Sequence, residues 1–156
     1  LTDAQNDMRV LLLHLRPTEL ENKTLQEGLQ MILKELTDKS NIRVVYKDMV
    51  KKVPKRIEDN LFRIAQEFIS NTLKHAKASQ IEVYLYQNSQ EIQLKMLDNG
   101  VGFDLNASTD EMSYGLKNIQ ERVDEMAGTV QFLSAKGKGT SIDVRVPILR
   151  GEDNVE

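Results

Sequence analysis

Residues 56–103 read RIEDNLFRIAQEFISNTLKHAKASQIEVYLYQNSQEIQLKMLDNGVGF, and this stretch decides the fold. Its first half sets Ile57, Leu61, Ile64, Phe68 and Leu73 at helical spacing. Pro54 suits the first turn of that helix, which is expected to run through about Lys77 as the longest in the chain. The period then changes. Ile81–Gln87 and Glu91–Leu97 alternate apolar and polar side chains around an Asn88-Ser89-Gln90 turn, so they read as paired strands. Asp98-Asn99-Gly100-Val101-Gly102 ends the alternation and opens a polar loop to about Met112.

Downstream, Tyr114–Ala127 has helical spacing and stops at Gly128, a residue suited to cap a helix C-terminus. Thr129–Ser134 and Ser141–Val146 read as a final hairpin joined through Lys136-Gly137-Lys138-Gly139. From about Leu149 the chain is charged and expected to fray. Upstream, Ile42–Tyr46 reads as a strand. Thr24 with Glu27 has the spacing of a capping box, opening a helix to about Lys39 with Leu25, Leu29, Ile32, Leu33 and Leu36 as its stripe. Residues 1–15 carry Met8, Leu11, Leu12 and Leu15 at helical spacing, and Arg16-Pro17 should end that helix. Most strand connections are hairpins or too short for a crossover helix. The expectation is an α+β two-layer sandwich: a mixed, mainly antiparallel sheet with helices on one face.

The 156 residues fit one domain. Lysine and arginine number 21 against 24 acidic residues, a net charge of −3, so bulk charge gives no footprint of nucleic-acid binding and no such partner is expected. With no cysteine, disulfides, thiolate metal sites and thiol catalysis are excluded. No apolar run approaches the ~18–20 residues that span a bilayer. The chain opens at Leu1 within a helical pattern, and we read it as a piece of a longer protein.

Four local signals carry chemistry. Glu67, Asn71 and Lys74 are spaced by four and three residues, hence on one helix face. A carboxylate, an amide oxygen and an ammonium there suit a hydrated Mg²⁺ beside a phosphate. They equally suit a solvated hydrogen-bond ladder, although Asn71 and Thr72 are mediocre helix formers in mid-helix. Asp98, at a strand end before Gly100 and Gly102, can accept from an exocyclic amine such as adenine's, while glycine lets the backbone approach a ligand closely. The same residues also fit a simple Asn-Gly turn. Gly115, near a helix start, could offer N–H groups to phosphate or be an ordinary helical residue. Gly137-Lys138-Gly139-Thr140 joins strand to strand, lacks Walker spacing, and reads as a turn when taken alone.

Their order is more specific than any one of them. A helix with Glu-x-x-x-Asn-x-x-Lys, a strand ending in Asp-x-Gly-x-Gly, a polar lid, a glycine at a helix start, then Gly-x-Gly-Thr before a last strand resembles the ATPase superfamily of gyrase, the Hsp90 chaperone, histidine kinases and the MutL repair protein. The likeness covers roughly residues 42–147. Asn71-Thr72-Leu73-Lys74-His75-Ala76 and the short lid are similar to sensor histidine kinases of the NarL/DesK-like group, and among these to cell-envelope-stress kinases of the LiaS/VraS type.

The resemblance implies a Bergerat-type ATP-binding fold and roles for these residues. Asp98 would bind the adenine amine with Thr140 beside it. Asn71 would coordinate Mg²⁺ and Glu67 would hold its waters. Lys74 and His75 would lie near the phosphates. Gly100 and Gly102 would shape the nucleotide floor, Gly115 and Leu116 would offer N–H groups to the phosphates, and Gly137 and Gly139 would make the close turn near the base. Residues 1–22 would end a dimerisation hairpin and linker, 23–149 form the ATP-binding catalytic domain, and 150–156 a tail. The implied partners are ATP, the parent protein's own phosphoacceptor helix, a response regulator, and a second copy in a homodimer. The parent would be a membrane-anchored sensor with this domain in the cytoplasm. His14 lacks the acidic neighbour of a phosphoacceptor and reads as a packing or surface residue; the acceptor is expected upstream. Two other readings remain. The short lid and leucine-rich first helices argue against an anti-sigma-factor-type serine kinase or a related ATPase of the same fold. Intact Asn71, Asp98 and glycines argue against a non-catalytic dimerisation module.

Overall fold

The computed structural model describes residues 22–106 and 110–149. The expected first helix, the Arg16-Pro17 break, His14 and the tail from residue 150 lie outside them. Within them, Thr24 opens α1 (Leu25–Lys39) with both halves of the capping box. Thr24 Oγ1 accepts from Glu27 N at 3.2 Å, and Thr24 N donates to Glu27 Oε1 at 3.1 Å. The Thr24 backbone donor is the first cause holding the Glu27 carboxyl below its usual value. A second clasp comes from elsewhere in the chain: Leu25 N donates to Glu58 Oε2 at 2.7 Å. Burial pushes the Glu58 carboxyl up.

Then follow β1 (Arg43–Met49), α2 (Lys55–Asn71), β2 (Gln80–Gln87), β3 (Glu91–Asp98), α3 (Asp110–Glu125), β4 (Thr129–Ser134) and β5 (Thr140–Pro147). The five strands form one sheet in the order β1-β2-β3-β5-β4. β1 pairs with β2 in parallel, α2 supplying the crossover, and every other pairing is antiparallel. The α+β sandwich with a mixed, mainly antiparallel sheet is the expected one.

Alternation fixes which face is buried. Ile81, Val83 and Leu85 of β2, Ile92, Leu94 and Met96 of β3, and Ile142, Val144 and Val146 of β5 share one core with the stripes of the three helices. A slip of one residue would turn each of these sets to water. The opposite face is polar and cross-linked: Gln93 Nε2 donates to Asp143 Oδ1 at 3.0 Å, and Arg145 pairs with Glu91 at 3.2 Å. In α2, Ile57, Leu61, Phe62, Ile64 and Ala65 are entirely covered. Each large side chain among them contributes about 1.5–3 kcal/mol by leaving water.

The structure departs from expectation in three places. The α-helical part of α2 stops at Asn71, and a π turn, Thr72–Ala76, continues it to Lys77, which takes the left-handed conformation at φ 49. α3 begins at Asp110, not at Tyr114. The polar run before Tyr114 has no apolar period to announce it. Ala127, not Gly128, occupies the left-handed position after α3, at φ 56. Gly128 is needed for close approach instead: a Cβ there would lie 2.5 Å from the Arg145 carbonyl oxygen.

Candidate nucleotide-binding site

β3 ends at Asp98 directly under the π turn of α2. Its carboxylate is buried, 9% exposed. Oδ1 accepts from Gly100 N at 2.9 Å and from Thr140 N at 3.2 Å. Oδ2 accepts from the Thr72 hydroxyl at 2.9 Å. The strand end, the loop after it, the start of β5 and the end of α2 are thus joined through one side chain. A buried carboxylate is costly unless hydrogen-bonded, and these donors meet that need.

The loop after β3 lies on the β4–β5 turn. Gly137 N donates to Val101 O at 2.6 Å, and Phe103 N to Ser134 Oγ at 2.9 Å. Two glycines make the approach sterically feasible. Gly102 has φ 65, and a Cβ on it would lie 2.0 Å from Ala135 O; Gly139 has φ 71, and a Cβ would lie 2.2 Å from Asp98 O. Gly137 also has positive φ but open space around it.

These contacts frame a pocket between α2, α3 and the sheet end. Phe68, Phe103, Leu116, Ile119 and Ile142 give apolar walls, and Asn71, Thr72, His75, Asp98, Gly102 and Thr140 complete the lining. A largely apolar pocket with a few convergent polar groups suits a small organic ligand.

The structure therefore gathers Asn71, His75, Asp98, Gly102, Leu116 and Thr140 around one pocket. Gly100 lies beneath it through its N–H on Asp98. Glu67 lies in the adjoining groove between α2 and α3, with Arg63, Tyr114 and Arg122. Burial, and then the neighbouring Arg122, pull the Arg63 guanidinium below its usual range. Glu67 and Asn71 meet at Gly115: a Cβ on that glycine would lie 2.5 Å from Glu67 Oε1 and 3.4 Å from Asn71 Oδ1. Gly115 is inside α3, not at its N-terminus, so the helix-end position expected for it and Leu116 is not the one found. Lys74 is exposed on the π turn and outside the pocket lining.

Sequence reasoning gave neither Thr72 nor Ser134 a role at the site. The one sign for Thr72 was a β-branched, polar residue in mid-helix. Ser134 gave none; its hydroxyl also reaches Thr140 Oγ1 at 2.9 Å.

A family model described as histidine kinase-, DNA gyrase B- and HSP90-like ATPase matches residues 56–150. Sensor histidine kinase LiaS of Bacillus subtilis is 44% identical over 150 residues, which is 96% of this chain and 41% of that protein. Sensor protein VraS of Staphylococcus saprophyticus is 42% identical over 154 residues, 99% of this chain and 44% of that protein. VraS of Staphylococcus aureus is 44% identical, with the same coverage. The chain thus spans about two fifths of the length of the curated relatives it matches. Among solved structures, the histidine kinase domain of the Erythrobacter litoralis blue-light activated kinase superposes with a TM-score of 0.63 over 80% of this chain and 61% of that one, at 18% identity, a likeness of fold. The family model covers well over half the chain and takes in every element that builds the pocket, and on that ground the chain belongs to the histidine kinase-, DNA gyrase B- and HSP90-like ATPases.

Proposed function

We propose that this chain is the catalytic domain of a two-component sensor histidine kinase: it binds Mg²⁺-ATP and donates the γ-phosphoryl group to a histidine on the parent protein's dimerisation helix. One observation carries the reading: the buried Asp98 carboxylate sits at the base of an apolar pocket, with Asn71 at the same pocket and Glu67 next to it. Adenine would lie between the apolar walls over Gly102, its amine donating to Asp98, with Thr140 alongside. The turn through Gly137 and Gly139 would close that end. Lys74 and His75, on the π turn, would face the phosphates. For Gly115 and Leu116 to offer their N–H groups, the start of α3 would have to unwind.

The residues present suit Mg²⁺. Glu67 and Asn71 bring a carboxylate oxygen and an amide group to one spot at Gly115, where the amide would turn its oxygen to the ion. Mg²⁺ takes few protein ligands and fills its octahedron with water and substrate phosphates, and no larger cluster of ligating side chains occurs among the described residues. When bound, the ion would neutralise phosphate charge. The acceptor imidazole attacks the γ-phosphorus as the bond to the β-phosphate oxygen breaks, and ADP leaves with the electron pair. The protein's part is positioning and charge stabilisation. The acceptor histidine would belong to the parent's hairpin, of which residues 1–22 are the end, with 23–149 as the catalytic domain and 150–156 as a tail. The parent would be a homodimer anchored in the membrane with this part in the cytoplasm, and would pass the phosphoryl group to a response regulator. The sensor kinases that match nearly the whole of this chain support that assignment.

Calorimetric titration with ATP, with and without Mg²⁺, tests the site. Asp98→Asn should weaken binding roughly tenfold to a hundredfold, the worth of one charged hydrogen bond. Asn71→Ala should remove the Mg²⁺ dependence. The parent protein should form acid-labile phosphohistidine; acid-stable phosphate on serine would overturn the kinase assignment.

A further inference from the structure

We infer that Thr72 is a positioning residue that holds Asp98 for recognition of the base's exocyclic amine; this rests on the nucleotide-site reading above. Thr72 is 3% exposed, at the junction between the α and π parts of α2. Its hydroxyl has one proton and two acceptors in reach, Asp98 Oδ2 at 2.9 Å and Phe68 O at 3.1 Å. Phe68 O already accepts the Thr72 backbone N–H. The charged acceptor is also the stronger one. The proton therefore goes to Asp98.

That donation has two consequences. A carboxylate has about four lone-pair positions. Gly100 N and Thr140 N lie on Oδ1 and Thr72 on Oδ2, so one acceptor position is left, on Oδ2. Among the described residues, every hydrogen bond to the Asp98 carboxylate comes from a donor, so a ligand meets it as an acceptor of a single N–H. The second consequence is rotational. The carboxylate turns about its Cβ–Cγ bond, which moves both oxygens together, so a donor on Oδ2 adds to the two N–H groups on Oδ1 in resisting that turn. Thr72 is the side chain that supplies that donor. A local helix habit, threonine bonding back to the carbonyl four residues earlier, is here overridden by a partner 26 positions away.

The test pairs three proteins with two ligands under Mg²⁺: parent, Thr72→Val and Thr72→Ser, each titrated with ATP and with purine riboside triphosphate, which lacks the amine. Valine keeps the shape and loses the hydroxyl; serine keeps the hydroxyl. Thr72→Val should weaken ATP about tenfold, the scale of one charged hydrogen bond, and shift the amine-free ligand by less than about twofold on the same scale. Thr72→Ser should bind ATP close to parent strength. Thermal melting run alongside establishes that each variant is folded. Equal losses for both ligands would assign Thr72 a merely structural role and overturn the inference. So would an unchanged ATP affinity in Thr72→Val, or a Thr72→Ser variant no better than valine. If Thr72→Val does not fold, Thr72→Ser decides: loss of selectivity despite a retained hydroxyl overturns the inference. A parent that binds both ligands alike would instead overturn the amine contact at Asp98, and this inference with it.

Discussion

The two ends of α2 obey different rules. From Ile57 to Ala65 the helix is an ordinary amphipathic one: apolar residues at regular spacing, all covered, with Glu58 half-buried where it clasps the start of α1. From Gln66 onward it buries Gln66, Ser70 and Thr72, and its geometry relaxes into a π turn. Asp98, under that turn, is the fourth buried polar residue among those described. The first end is built for cohesion alone. The second departs from helix rules where the pocket lies, as expected where a protein gives up local consistency for a ligand, and π turns are frequent at such places. Cohesion and recognition are thus divided along one helix.

Substitutions at the two ends should separate those properties. The largest effect is expected from Leu61→Ala, which removes a fully covered side chain; unfolding in urea should show a loss of about 2–5 kcal/mol, with ATP affinity of the folded fraction unchanged. A coupled loss of affinity would break the division. Next is Gly139→Ala. Positive φ and a Cβ 2.2 Å from the Asp98 carbonyl oxygen make it strained; we expect a cost of about 1–3 kcal/mol, together with loss of ATP binding, since Asp98 must shift. Gly115→Ala should sharpen the comparison further. Alanine favours the helix by up to about 1 kcal/mol, while its methyl group displaces the Glu67 and Asn71 side chains. Stability should hold and the Mg²⁺-dependent part of ATP affinity should fall. The smallest effect concerns α1. The Glu27 carboxyl is held below its usual value by the Thr24 donor, so its stabilising contribution is present above the ordinary glutamate range and lost as pH falls through the lowered value. Glu27→Gln should lower the melting temperature slightly at neutral pH and not in acid.

Local chemistry made much of this readable in advance. The Thr24–Glu27 box, the alternation of β2 and β3 and the apolar stripe of α2 all concern residues that interact at short separation, and each formed as read. Asn71, Asp98 and Thr140 were recognisable because their order along the chain carries the family pattern. What stayed hidden depends on distant partners. Thr72 gains its role from the end of β3, and Ser134 from Phe103 and Thr140. The start of α3 was missed because its first residues carry no apolar period. Gly128 was assigned a capping conformation when its actual constraint is the backbone of β5.

The strand order has a consequence for how the protein is made. β5 is the last strand of the described chain, yet it lies between β3 and β4, and among the described residues β4 pairs with no other strand. On a ribosome, residues 129–134 emerge with nowhere to dock. Until Thr140–Pro147 follows, the far edge of the sheet and the Thr140 contact to Asp98 are both missing. Pairings between distant segments form slowly, and exposed strands invite association with other chains. A nascent chain stalled before residue 140 therefore presents an open edge on β3 and an unfinished pocket, and is the form of this protein most in need of a chaperone.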